Sequence, residues 1–205
     1  MPSTPRPSPA GLTVLCLLRA APLHPYGMQR LIKTWGKDET VNVGQRANLY
    51  KTIKRLHDAG LIEVRQTERS QLYPERTVYQ LTEQGRATGT RWLADMLATP
   101  RNEFPEFPAA LSFAMALGPA EVLDALGRRL SALEARRADL DQLHDDTTDL
   151  PRITLLETEY QQAVLDAEIR WLHAVITDLK TGTLAWDHDQ LAAQAADAIT
   201  QATTS

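Results

Sequence analysis

The stretch Gln45-Arg-Ala-Asn-Leu-Tyr-Lys-Thr-Ile-Lys-Arg-Leu-His-Asp-Ala-Gly60 runs straight into Leu61-Ile-Glu-Val-Arg65, and the hydrophobic period changes at the junction. Before it, Leu49, Ile53 and Leu56 recur at i, i+4 and i+7, joined by Tyr50, which is one face of a helix. Gly60 reads as the C-terminal stop. After it, Ile62 and Val64 alternate with Glu63 and Arg65, the period of a strand. Alternation returns in Thr77-Val-Tyr-Gln-Leu81, with Tyr79 and Leu81 on one side. The polar segment between, Gln66 to Arg76, contains Pro74, which cannot donate to a central ladder. A helix followed by a two-stranded hairpin with a long tip is expected.

Upstream, Leu12 to Arg19 reads as a buried helix closed by Pro22 and Pro25. Tyr26 to Trp35 places Met28, Leu31, Ile32 and Trp35 on one helical face, and Gly36 ends it. Lys37 to Gly44 is polar and reads as a turn. Downstream, Thr82 caps a helix with Glu83 in its first turn, carrying Trp92, Leu93, Met96 and Leu97. Helix, helix, turn, helix, hairpin is the order of a winged helix-turn-helix, expected over residues 11–99 behind a Pro/Ser-rich disordered leader at 1–10.

Pro100, Pro105 and Pro108 mark a boundary. Beyond Ala109 to Leu117, a long helix starts with Pro119 at its first position and runs to about His144. Its Leu123, Leu126, Leu130, Leu133 and Leu140 have coiled-coil spacing, interrupted by Arg137. After Pro151 a second long helix runs to about Lys180, ended by Gly182. It carries two stripes: Leu165, Ile169, Leu172, Ile176, Leu179, and Tyr160, Val164, Ala167, Trp171, Val175. Either the helix is fully buried in a monomer or a second copy of the chain covers one stripe. The scarcity of other elements favours the second copy, so 105–182 is expected to be a helical dimerisation domain, with 183–205 an Ala-rich tail. The fold class is mainly α with a small two-stranded β wing.

A hydrophobic fraction of 43% supplies a real core. One cysteine, Cys16, excludes an internal disulfide framework and fits a reducing compartment. The apolar run Leu12 to Leu18 is cut by Arg19 and is too short to span a bilayer, so a cytoplasmic protein is expected. Residues 1–100 hold 14 Lys/Arg against 8 Asp/Glu, a net +6, whereas residues 101–205 hold 8 against 18, a net −10. That asymmetry points to a basic working domain joined to an acidic one. No phosphate-cradling glycine loop, HExxH or GxSxG motif occurs. The five histidines (24, 57, 144, 173, 188) are scattered, so neither an enzyme, a cofactor nor a metal site is expected.

The helix ending at Gly60 carries the chemistry. Opposite its apolar side lie Gln45, Arg46, Asn48, Lys51, Thr52 and Arg55, with Lys54 flanking. Arg can hold guanine O6 and N7 with paired donors, and Asn or Gln can pair with adenine N6 and N7. Residues at the start of such a helix reach base edges, which makes Gln45, Arg46 and Asn48 candidates for reading sequence. Lys51, Lys54 and Arg55 are better placed for phosphates. Arg69 and Arg76 on the hairpin could reach a minor groove or a phosphate, although Glu68 and Glu75 weaken the attraction. Trp92, Trp171 and Tyr160 could line an aromatic pocket or pack in cores. The rival reading is a winged-helix adaptor that docks proteins without specific DNA binding.

Asn48 to Ile62 and Pro74 to Gly85 resemble the PadR family of transcriptional regulators, chiefly through Leu49-Tyr50, Arg55-Leu56, Gly60-Leu61-Ile62, Tyr79 and Leu81-Thr82-Glu83-Gln84-Gly85. His24-Pro-Tyr-Gly27 matches the start of that family's second helix. Glu168-Ile-Arg-Trp-Leu172 resembles the subgroup with a long helical C-terminal domain. The resemblance implies a homodimeric repressor released from double-stranded DNA by a small, often aromatic effector, with Tyr50 near the DNA backbone. The chain departs from the family's pattern at Lys51, often Pro, and at His57, often Glu.

Overall fold

The computed structural model describes residues 5–37, 46–70, 73–145 and 150–204. The chain divides into two compact units, Met1–Asn102 and Glu103–Ser205. Among the described residues no helix is long and apolar enough to cross a membrane.

The first unit comprises α1 (Pro9–Ala20), α2 (Pro25–Thr34), α3 (Arg46–Asp58), β1 (Ile62–Ser70), β2 (Tyr73–Leu81) and α4 (Glu83–Ala98). Three helix starts are capped by side chains: Ser8 Oγ, His24 Nδ1 and Thr82 Oγ1 accept the backbone N–H of Gly11, Gly27 and Gly85 at 3.2, 2.8 and 3.0 Å. Each cap satisfies a donor that the helix leaves unpaired. The Ser8 cap, with Pro9 in the first turn, starts α1 inside the leader that composition alone marks as disordered. Gly36 and Gly60 end α2 and α3 in the left-handed region, at φ +63° and +69°. At Gly60 the paired bonds Gly60 N–H to His57 O (2.9 Å) and Leu61 N–H to Leu56 O (3.0 Å) close a Schellman turn.

The core gathers Val14, Leu15, Leu17, Leu18, Met28, Ile32, Leu49, Ile53, Leu56, Leu61, Ile62 and Trp92. Leu31 packs at its edge, whereas Trp35 lies outside and is 55% exposed, because α2 has already ended there. Trp92 is core packing, not a pocket wall. The hairpin strands reach much further than the polarity of Gln66 to Arg76 implies, leaving only positions 71–72 between them. In a two-stranded ribbon each strand keeps one free edge, so Pro74 is tolerated. The antiparallel register pairs Ile62 with Leu81 and Val64 with Tyr79, then slips by one residue before Gln66 meets Val78. The slip ends the alternation that starts at Ile62, and Val64 is 44% exposed. Leu23, between α1 and α2, adds a third pairing: it exchanges backbone hydrogen bonds with Tyr79 at 3.0 and 2.9 Å.

The second unit contains α5 (Glu106–Leu111), a 3₁₀ turn at Ala114–Ala116, α6 (Pro119–Asp145), a 3₁₀ turn at Arg152–Thr154, α7 (Leu156–Thr181) and α8 (His188–Thr204). Val122 and Leu126 of α6 pack with Leu172, Ile176 and Leu179 of α7. Arg137 does not break this seam. Its Nε donates to Asp166 of α7 at 2.7 Å, and it also bonds Asp141 one turn on. Arg129 Nε donates to Glu168 at 2.6 Å with its guanidinium 3.6 Å from the Phe107 ring centroid; Trp171 meets that ring edge-on at 6.0 Å. The segment after Gly182 is not featureless. Trp186 Nε1 donates to Leu117 O (3.0 Å) and His188 Nε2 lies 2.9 Å from Ala116 O, so α8 begins fastened to the 3₁₀ turn.

Candidate nucleic-acid interface

Two fingerprints far apart in sequence meet at the end of α3. Thr82 Oγ1 reaches the carbonyls of Gly60 (2.8 Å) and Leu61 (3.0 Å), and Thr82 N–H also donates to Leu61 O at 3.2 Å. A Cβ on Gly85 would sit 1.9 Å from that same Leu61 oxygen, so only glycine lets α4 start here. At the other side His57 meets Tyr79 edge-on at 6.1 Å. These contacts set the position of α3 on the body of the unit.

Leu49, Ile53 and Leu56 of α3 are buried at 1%, 2% and 0% exposure. Thr52, expected on the open side, is buried too, at 8%, since it precedes Ile53 on the flank that α1 covers. The open side comprises Ala47, Tyr50, Lys51, Lys54, Arg55 and Asp58, all exposed and spaced three or four apart, hence neighbours on the helix surface. Tyr50, apolar partner of the core by period, is 54% exposed. Asn48 is half-buried. Lys54 Nζ pairs with Asp58 at 2.6 Å, both side chains well exposed. Such pairs contribute about 0–1 kcal/mol, so Lys54 can exchange Asp58 for another anion.

Arg55 lies on the flank toward α1, where its Nη2 donates to Ser8 Oγ at 2.8 Å. Gln45 falls outside the described residues. Arg46 is the first residue of α3, and nothing is described of its side chain. Arg76 pairs with Glu68 in the ladder, and Arg69 lies at the register shift between Glu68 and Ser70; their side chains too fall outside the described set. α2 adds Arg30 and Lys33, both exposed, on a helix with no acidic residue. The period of α2 gave no reason to single them out, but its charge pattern carries the signal.

Residues 14–91 match the model of the "Transcriptional regulator PadR-like family". No curated protein sequence matches the chain. Among solved structures, Bacillus subtilis PadR in complex with operator DNA is similar at 21% identity and a TM-score of 0.69, covering 82% of this chain and 98% of that one. The same regulator in complex with p-coumaric acid gives 20%, 0.64, 83% and 98%. The Vibrio cholerae virulence activator AphA gives 16%, 0.64, 84% and 98%. The shared fold is the mainly helical, winged architecture described above. Over residues 14–91 this chain is therefore similar to the PadR-like family of transcriptional regulators, and it shares the fold of the solved regulators.

Proposed function

We infer that the chain is a sequence-specific DNA-binding transcriptional regulator that works as a homodimer in the cytoplasm and represses until a small aromatic molecule releases it. The observation that carries the reading is the α3 surface. One side is anchored by Leu49, Ile53 and Leu56, while Tyr50, Lys51 and Lys54 stand open on the other. A helix so mounted can enter the major groove, with Gln45, Arg46 and Asn48 at the base edges and Lys51, Lys54 and Tyr50 along the backbone. Arg69 and Arg76 extend the contact along the wing.

Self-association is supported by the second stripe of α7. Tyr160, Val164 and Trp171 are 71%, 46% and 42% exposed in the single chain, whereas the Leu165–Leu172–Ile176–Leu179 stripe is buried. For a two-fold dimer the operator is a near-palindrome with half-sites about 34–36 Å apart, or a multiple of that. The aromatic effector rests on the p-coumaric acid complex of the Bacillus subtilis regulator.

An electrophoretic shift with duplex DNA from upstream of the chain's own coding region tests the reading, and a p-coumaric acid titration of the shifted complex tests release. A retarded band that unrelated DNA does not compete away is the expected result. No binding even at low salt would leave the winged helix as a protein-docking module.

A further inference from the structure

We propose that Arg55 and Ser8 form a brace that sets the rotation of α3 about its own axis, making Arg55 a positioning residue and not a phosphate contact. The proposal rests on the DNA-binding reading above and assigns Arg55 and the leader their part in it.

Asn48, Thr52, Arg55 and Ala59 form one column on α3 by their spacing. Asn48 is half-buried, Thr52 is buried and Ala59 packs at the edge of the core, whereas Arg55 itself is exposed, between this column and Lys51 one turn earlier. What separates Arg55 from the Tyr50–Lys51–Lys54 face is the partner of its head group. Its guanidinium is directed at the start of α1, where Ser8 Oγ accepts two hydrogen bonds at once, from Arg55 Nη2 at 2.8 Å and from Gly11 N–H at 3.2 Å. A hydroxyl oxygen has two lone pairs, and here both are used.

Gly11 provides the space for this crossing. A Cβ there would lie 2.9 Å from Ser8 Oγ, 3.1 Å from the Trp92 ring and 3.5 Å from Arg55 Nη2. The leader, α1, α3 and α4 therefore converge on one point. The Schellman turn at Gly60 holds the C-terminal end of α3 and the buried Leu49, Ile53 and Leu56 hold its apolar side, which leaves the exposed side to be fixed. Arg55, five residues before Gly60 and bonded to a residue 47 positions away, supplies a polar fixed point there. Since successive residues are turned by about 100° around a helix, a small rotation changes which side chains face the groove.

The test compares the unsubstituted chain with Ser8→Ala, Ser8→Thr, Arg55→Ala and the Ser8→Ala/Arg55→Ala double variant. Each is titrated with the upstream duplex and with a shuffled duplex across a salt series, well below its melting temperature. For a brace, Ser8→Ala and Arg55→Ala each weaken upstream-duplex binding by about threefold to tenfold. The double variant is no worse than either alone, Ser8→Thr restores binding, and the salt slopes and shuffled-duplex affinity stay at wild-type values. A loss of stability alone would move the melting temperature without changing the ratio of the two affinities. If Arg55→Ala lowers the salt slope by about one counterion and Ser8→Ala is silent, Arg55 is a phosphate contact and the brace is overturned. If the unsubstituted chain binds neither duplex at low salt, the DNA reading itself fails and takes the brace with it.

Discussion

Replacing Gly85 by alanine puts two physical effects in opposition. In an open helix the change stabilises, because alanine is favoured over glycine by about 1 kcal/mol. At Gly85 the new Cβ would lie 1.9 Å from Leu61 O, 2.8 Å from Leu61 C and 2.9 Å from Leu81 Cδ1. The carbonyl cannot simply withdraw, because it accepts both Thr82 N–H (3.2 Å) and Thr82 Oγ1 (3.0 Å), and Thr82 Oγ1 also caps Gly85 N–H. Relieving the clash therefore loosens two hydrogen bonds and a cap and separates α4 from the α3–β1 turn. Taking about 1 kcal/mol for each bond and for the cap, with overpacking strain of similar size, the net loss is about 3 kcal/mol after the propensity gain. That is a large part of the ~5–15 kcal/mol that holds a domain together. For a unit of this size it lowers the melting temperature by about 12 °C or more. Thermal and urea denaturation followed by circular dichroism read the effect. Gly127→Ala in α6 is the control: nothing lies within 4 Å of its added Cβ, so that variant is slightly more stable than wild type. Equal stability of Gly85→Ala and wild type would refute the claim that the Leu61 carbonyl dictates glycine at this position.

Lys51→Ala is expected to flatten the salt dependence of DNA binding by about one counterion; an unchanged slope removes Lys51 from the interface. Tyr160→Glu combined with Val164→Glu places charge on the exposed stripe of α7; sedimentation is expected to show a dimer for the unsubstituted chain and monomers for this variant. A dimer that survives both changes is held elsewhere. The pKa of His188 is raised above its ordinary 6.5, chiefly by its hydrogen bond with Asp189 and then by the Ala116 carbonyl, with the charge of Glu121 on α6 adding to that of Asp189. The Asp189 contribution is local to α8, but the part that comes from the Ala116 carbonyl and Glu121 exists only when α8 is docked. The imidazolium therefore favours docking fully below about pH 6.5, and that contribution fades as pH climbs through the folded-state value. An NMR titration of the His188 ring at or below 6.5 would contradict this, and His188→Gln is expected to remove the pH dependence of α8 protection from hydrogen exchange.

Much of the first unit is legible in sequence because its signals are local. The three-and-four spacing of Leu49, Ile53 and Leu56, the left-handed glycine at 60, and the cap at Thr82 each act within one or two helical turns. None needs knowledge of distant residues. The likeness to PadR regulators has a physical basis too: Gly60-Leu61 and Thr82…Gly85 are recognisable together because they share one carbonyl.

What periodicity could not supply is which flank of α3 the rest of the chain covers. A 3.6-residue repeat separates an apolar side from a polar one, but Thr52 and Arg55 sit on the margin between them. Their fate depends on α1 and on Ser8, 47 residues away from Arg55. The Leu23–Tyr79 pairing and the long reach of the wing strands were hidden for the same reason, since backbone hydrogen bonds between remote segments leave no mark on side-chain patterning. Residue order alone determines most helices of the first unit, their stops and the presence of the hairpin; the direction in which α3 presents its cations is decided only when distant segments close around it.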